Sequence, residues 1–245
     1  MSAAAAPTFP PLLQGMGLRG AQDPFEVACA QAALGCDAGL VVYNVSASHL
    51  RAAIVFAPEA PLRQAVAAMI VCGVGFQNAL GALAPPEVAV HLDWDGGIRV
   101  NGASCGGLAV NASSRDAETV PDWIVVGLTV PLKPKAGTDP GADPERTWLS
   151  EEGCVEVAPE TLLEAWARHT LLWVNRWLDE GARPLHAVWR GLAHGRGEPA
   201  TFTIAGRTEA GTFVGVDEDF GLLLRTGQET RLVPLTELLN KGEQP

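Results

Sequence analysis

Trp94-Asp95-Gly96-Gly97-Ile98-Arg99-Val100-Asn101-Gly102-Ala103-Ser104-Cys105-Gly106-Gly107-Leu108 is the stretch on which the fold turns. An aromatic closes one short apolar run, and Asp95-Gly96-Gly97 separates it from the next. Asn101-Gly102 is a tight-turn pair, because both residues tolerate the left-handed backbone that a two-residue hairpin loop demands. The stretch therefore reads as three short strands, 88–94, 98–101 and 108–110, joined by tight connections.

Working outward, Asp23-Pro24 reads as an N-cap with proline at the first helical position, so 25–34 is a short helix ending at Gly35. Residues 40–45, 51–56 and 123–130 read as strands. Residues 61–83 carry apolar side chains mostly at helical spacing, until Pro85-Pro86 stops them. Residues 159–178 and 185–193 read as two further helices, and the proline-rich 131–145 as a loop. From residue 201 the pattern changes to short alternating strands, 201–204, 212–216, 221–224 and 230–234, the sign of a small barrel. The expected organisation is one domain over 1–197 and a barrel over 198–245. Residues 1–20, rich in Ala and Pro, read as a loose arm.

Composition narrows the partners. The formal net charge is −11, from 28 acidic and 17 basic residues. Such a surface repels phosphate backbones and anionic lipid, so neither nucleic acid nor a membrane is expected. Five cysteines, none in a C-x-x-C pair, read as free thiols in a reducing compartment. Residues 1–11 lack a basic region followed by an apolar core, so no signal peptide is expected. Proline, glycine or charge interrupts the apolar stretches, so no membrane span is expected either, and the reading is cytoplasmic.

The quoted stretch resembles the biotin/lipoate protein ligase family. In biotin protein ligases a strand with a Lys-Trp-Pro-Asn-Asp motif leads into a hairpin. That hairpin has an Asn-Gly turn, a lysine, and a glycine pair opening the next strand. Trp94, Asn101-Gly102 and Gly106-Gly107 match it without a gap. Val125-Val126-Gly127-Leu128 resembles the family's Val-Gly-Ile-Gly strand. Residues 147–153 resemble its Thr-Ser-Leu helix-start segment, and 178–191 its closing helix pair. Residues 211–224 resemble the small barrel that closes many biotin ligases.

The resemblance implies an α/β (α+β) fold related to class II aminoacyl-tRNA synthetases: a mixed, mostly antiparallel sheet flanked by helices, then an SH3-like barrel. It implies a small-molecule acid or an acyl-carrier domain as partner. ATP, with biotin or lipoate, is implied only if ligation survives. The implied ligand-binding set is Trp94, Asp93, Asp95, Asn101, Ser104, Gly106, Gly107 and Arg51; Arg51, the one cation near the expected pocket mouth, reads either as a ligand for a carboxylate or as an exposed arginine at a strand start.

The departures are specific. The family's glycine-arginine loop, which folds over the adenylate, has no counterpart between Val45 and Arg51. Asp93 stands where the first motif has lysine, and Ser104 where the hairpin has one. Adenylation develops negative charge that cations in a dry site stabilise. Two unit charges about 4 Å apart interact by roughly 4 kcal/mol at a near-surface effective dielectric, so reversing a sign there slows the reaction by powers of ten. The expectation is a diverged member that does not adenylate, with an active acyl-protein ligase or acyltransferase of rearranged catalytic residues as the alternative.

Other patterns weigh less. Gly102-Ala103-Ser104-Cys105-Gly106 has the spacing of a hydrolase nucleophile elbow, but that elbow needs a helix after it and a strand follows here. His91, Asp93 and Asp95 alternate along one strand, as a metal site or as a solvated acidic strand end. Cys105 and Cys154 read as buried thiols, since the lysine of lysine–cysteine acyl transfer is replaced by Ser104. Gly73-Val74-Gly75 lies within a helical pattern and reads as a packing contact.

Overall fold

The computed structural model describes residues 6–204 and 206–242. Seven strands form the main sheet: β1 (Gln14–Gly17), β2 (Leu40–Val45), β3 (His49–Phe56), β4 (Val90–Leu92), β5 (Gly97–Val100), β6 (Ala103–Ala112) and β7 (Ile124–Pro131). Their order is β1-β2-β3-β7-β6-β5-β4, with β1 parallel to β2 and every other pairing antiparallel. The mixed, mostly antiparallel sheet expected from sequence is present. Asn101 and Gly102 both take positive φ, 50° and 94°, so the hairpin between β5 and β6 is the tight turn that Asn-Gly encodes.

The helices are α1 (Pro24–Ala33), α2 (Leu62–Ala65), α3 (Ala68–Leu83), α4 (Pro159–Glu180) and α5 (Arg183–Leu192). Asp23 caps α1 by accepting from the amides of Phe25, at 2.7 Å, and Glu26. α1 covers one sheet face through a small core of Ala28, Ala32, Val42, Ala53, Val55 and Val125. α3 and α4 cover the other face. Their crossing is close: a Cβ on Gly75 would lie 3.0 Å from the backbone of Thr170. Gly73-Val74-Gly75 is thus the helix-packing contact its context suggested.

Three expectations need correction. Residues 6–20 are not a loose arm. Phe9 packs on Tyr43, the amide of Thr8 donates to Glu164 at 2.7 Å, and β1 pairs with β2. These contacts link segments far apart in sequence, which local composition does not reveal; residues 1–5 lie outside the described residues. The helix of 61–83 is two pieces, α2 and α3, with a break at Val66-Ala67. Finally, the run Leu62–Leu83 is 22 residues long and apolar enough to cross a membrane. Of its most apolar 18-residue window 72% is buried inside the protein, against the sheet and α4, as in a helix that is hydrophobic all round because it is sandwiched.

The C-terminal unit is a four-stranded antiparallel sheet of β8 (Pro199–Ile204), β9 (Arg207–Val216), β10 (Leu222–Thr226) and β11 (Glu229–Val233), in the order β11-β10-β9-β8. A 3₁₀ segment, Leu235–Gly242, follows it. Its buried residues Phe202, Phe213, Phe220, Leu222 and Leu224 join the same apolar cluster as Trp94, Trp189 and α3. Residues 243–245, the end of the expected barrel, lie outside the described residues.

Candidate functional site

A cleft opens on the α1 side of the sheet and has a volume of about 830 Å³. Drug-sized ligands occupy clefts of this size. Its floor is a row of register partners crossing four strands: Arg51 on β3, Thr129 on β7, Gly107 on β6 and Gly97 on β5. The first turn of α1, with Asp23, Phe25 and Glu26, forms one wall. The turn Asp95-Gly96-Gly97 forms another.

The cleft exists because α1 covers only part of this sheet face and because the uncovered part is glycine-rich. Gly127 lies so close under Phe25 that a Cβ there would approach its ring to 2.7 Å. Gly106 has φ +93°, and a Cβ would meet the carbonyl oxygen of Thr129 at 2.0 Å. It sits in an irregularity of the β5–β6 ladder, where two residues of β6, Cys105 and Gly106, face Ile98 alone. Bulges of this kind recur beside functional sites, because they re-aim the backbone.

The expected site residues divide into two groups. Arg51, Asp95, Gly106 and Gly107 line the cleft. Trp94, Asp93, Asn101 and Ser104 do not. Trp94 is 1% exposed and its indole Nε1 donates to the carbonyl of Phe220 at 2.8 Å, so it anchors the C-terminal sheet. Asp93 accepts from Nε of Arg99 with both oxygens, at 2.9 and 3.0 Å. Asn101 accepts from the amide of Ala89 and donates to Glu152 at 2.7 Å. The amide and carbonyl of Ser104 bond Glu145 and Thr147 across a strand bridge. Along a strand neighbouring side chains take opposite faces, and Trp94 and Asp95, neighbours in the chain, part in this way, whereas Asp93 lies beside Gly97, where a Cβ would meet its Oδ2 at 2.5 Å, and is held out of the lining by Arg99. Residues 149–153 form consecutive turns ahead of α4. There Glu152 receives both Asn101 and Thr147, which ties the hairpin down.

Sequence reading missed Asp23, Phe25, Glu26, Cys29, Asn111, Gly127 and Thr129, all of which line the cleft. Gly127, inside a buried strand, carried a signal, since glycine there marks a close approach. The α1 residues carried none, because their role depends on where the helix docks.

The lining holds one cation, Arg51, against the carboxylates of Asp23, Glu26 and Asp95. Arg51 lies 3.6 Å from Asp23, and both side chains are partly exposed, a pair worth about 0–1 kcal/mol. Just beyond the lining, His49 shares the face of Arg51. Its pKa is lowered, first by burial and then by the positive charges of Arg51 and Lys135. Lys133 and Lys135, two of the chain's three lysines, follow β7 at this end. Cys29 borders the cleft with its thiol pushed up, mainly by burial. The Cys105 thiol is pushed up to about 12 by burial and by nearby Glu152, so it is no nucleophile near neutral pH. All five cysteines are free, and no cluster of three metal-ligating side chains occurs among the described residues. The His91, Asp93 and Asp95 alternation therefore forms no such cluster.

Comparison with known proteins agrees with this architecture. A biotin protein ligase-like protein of unknown function from Silicibacter sp. TM1040 is 57% identical over 96% of this chain and 99% of its own, with a TM-score of 0.88. The biotin protein ligase of Aquifex aeolicus is 15% identical, with a TM-score of 0.72 over 92% of this chain and 96% of its own, a likeness of fold. A biotin–[acetyl-CoA-carboxylase] ligase from Paracoccus denitrificans is 24% identical over 80% of this chain and 82% of its own. Residues 197–241 match a domain of unknown function, DUF4444. Residues 9–191 match the profile of the biotin/lipoate A/B protein ligase family, and the chain belongs to that family.

Proposed function

We propose that this chain is a diverged family member that binds a small carboxylic acid, free or borne by a carrier domain, without making an acyl-adenylate from ATP. The observation that carries this reading is the charge of the cleft: one guanidinium, already beside Asp23, against three carboxylates. A triphosphate needs several converging cations, and the lining does not fit one. A single carboxylate needs one, and Arg51 suits it. The glycine floor leaves room for an acyl chain to lie against bare backbone. The Paracoccus relative's name, a ligase acting on acetyl-CoA-carboxylase, supports a carrier domain as the macromolecular partner. The net charge of −11 supports a protein that avoids nucleic acid and anionic membranes, and the five free cysteines support a cytoplasmic setting.

Pyrophosphate release in the presence of biotin, lipoate or octanoate with ATP tests the reading. No acid-dependent release is expected; turnover at about 1–10 s⁻¹ would overturn it. A thermal-shift series with the same acids, with and without ATP, measures binding directly. A ligand at 100 times its Kd adds about 2.7 kcal/mol to stability. One observation favours the second reading, an active ligase or acyltransferase with rearranged groups. Lys135 and Arg51 both act on His49 at one end of the cleft, so some positive charge does gather there. On that reading ATP, with biotin or lipoate, would raise the melting temperature together.

A further inference from the structure

We infer that the basic patch beside the Arg51 end of the cleft, built from His49, Lys133 and Lys135, docks the acidic surface of a protein domain that carries the acid on a side chain. The inference rests on the acid-binding reading above and goes beyond it by naming the docking surface and the charge of the partner. Residues 46–51 and 131–137 hold three cations, Arg51, Lys133 and Lys135, together with His49 and no carboxylate, in a chain whose net charge is −11. The fold brings these two segments together. Arg51 pairs with Thr129 and His49 with Pro131 along β3 and β7. Past the strand end, the amides of Leu132 and Lys133 both donate to the carbonyl of Ser48, at 2.8 and 3.5 Å. Burial and then the charges of Arg51 and Lys135 lower the pKa of His49, so the cations share one locality.

The charge of the two lysines is not neutralised within the chain. Lys133 and Lys135 are exposed and make no ion pair among the described residues. The carboxylates that follow on the same loop hold local turns: Asp139 accepts from the amide of Gly141 at 2.9 Å, and Asp143 from the amide of Glu145 at 3.1 Å. Neither lysine lines the cleft, so they build no phosphate cradle around a small ligand there. Their charge is presented outside its mouth.

Chemistry sets what stands there. An acid borne by a carrier is joined to it through its carboxyl carbon. With the acyl chain in the cleft, the body of the carrier therefore emerges at the carboxyl end, which is the Arg51 end. A carrier with carboxylates around its modified side chain gains charge-assisted contacts with Lys133 and Lys135 and is steered to the cleft mouth. A free acid leaves the patch in water and gains nothing from it. Screening, with a Debye length of about 8 Å at physiological salt, confines the attraction to nearby charge. A compact acidic surface thus senses the lysines, whereas an extended polyanion meets the acidic remainder of the molecule.

Synthetic peptides with a central lysine acylated by octanoate, lipoate or biotin, flanked by glutamates or, in a matched set, by glutamines, make the test. Titration of the full chain, followed by fluorescence anisotropy, should give the glutamate-flanked peptide a Kd at least about tenfold below that of its glutamine counterpart for at least one acyl group. The advantage should vanish in the double variant Lys133→Gln, Lys135→Gln and shrink between about 50 and 500 mM salt. Both lysines are exposed, so that variant should keep the melting temperature of the parent and bind the free acids as the parent does. Equal binding of the two peptides, an advantage that survives the double substitution, or binding of free acids alone overturns the inference and leaves the acid-binding reading standing. So does capture by phosphatidylglycerol vesicles that depends on the two lysines, which would make the patch a membrane contact. Binding of neither peptides nor free acids overturns both.

Discussion

The indole of Trp94 and the carbonyl of Phe220, 126 residues apart in the chain, meet in a 2.8 Å hydrogen bond at the seam between the main domain and the C-terminal sheet. Phe220 holds a left-handed backbone, φ 63°, which a bulky residue adopts only when its surroundings impose it. His186 stacks on its ring with centroids 3.8 Å apart and shares a hydrogen bond with the carbonyl of Glu218. The tryptophan that marks the family resemblance is here an anchor for the C-terminal unit.

Trp94→Phe removes the donor and leaves a buried carbonyl without its partner. The expected loss is about 1–3 kcal/mol, read from denaturant unfolding. Trp94→Ala should cost about 3–5 kcal/mol. Neither substitution touches the cleft lining, so acid binding by the folded fraction should be unchanged.

Two glycines on the same hairpin separate conformational strain from crowding. Gly102 and Gly106 have nearly the same φ, +94° and +93°. A Cβ on Gly102 meets nothing within 4 Å, whereas one on Gly106 would meet Thr129 O at 2.0 Å. Gly102→Ala should therefore cost about 1–2 kcal/mol and Gly106→Ala clearly more. Equal losses in thermal unfolding would show that the backbone around Thr129 gives way freely.

Arg51→Met tests the cleft with little threat to the fold. The Arg51–Asp23 pair is partly exposed, so stability should fall by no more than about 1 kcal/mol. Binding of any carboxylic acid should fall at least about tenfold, measured by titration calorimetry.

Buried thiols make the protein sensitive to alkali. Burial raises the thiol pKa of both Cys72 and Cys105, the latter to about 12 from an ordinary value of 9.0. The folded state therefore favours the protonated thiol more than the unfolded chain does. That contribution is complete below about pH 9 and is lost as pH rises toward 12, because only the unfolded chain ionises in that window. Each such thiol should lower stability by about 1.4 kcal/mol per pH unit there. Cys105→Ser should flatten the slope of stability against pH, and an unchanged slope would count against this account.

Limited trypsin digestion should cut first after Lys135 or after Arg196. Lys135 lies in the exposed loop before the segment at Thr147, and Arg196 in the glycine-flanked connection to β8. Early cleavage within Arg207–Val216 would argue that the C-terminal sheet opens before its connections do.

Local signals in the sequence were sufficient where a structure is decided by neighbouring residues. Asp23-Pro24 started α1, Asn101-Gly102 made the β5–β6 turn, and period-two patterning located the C-terminal strands. The hairpin with Gly106-Gly107 also pointed to one wall of the cleft, because glycine pairs on a strand mark a close approach. The tertiary structure alone decided the rest. Trp94, Asp93, Asn101 and Ser104 left the cleft because each found a partner elsewhere: Phe220, Arg99, Glu152 and Thr147. Asp23, Phe25 and Glu26 entered it because α1 docks across β3 and β7. Residues 14–17 became part of the sheet because β2 offered an unpaired edge. Spacing in a chain fixes which residues share an element's face, but which face is covered depends on contacts between segments far apart in sequence, and those are settled by burial over the whole molecule.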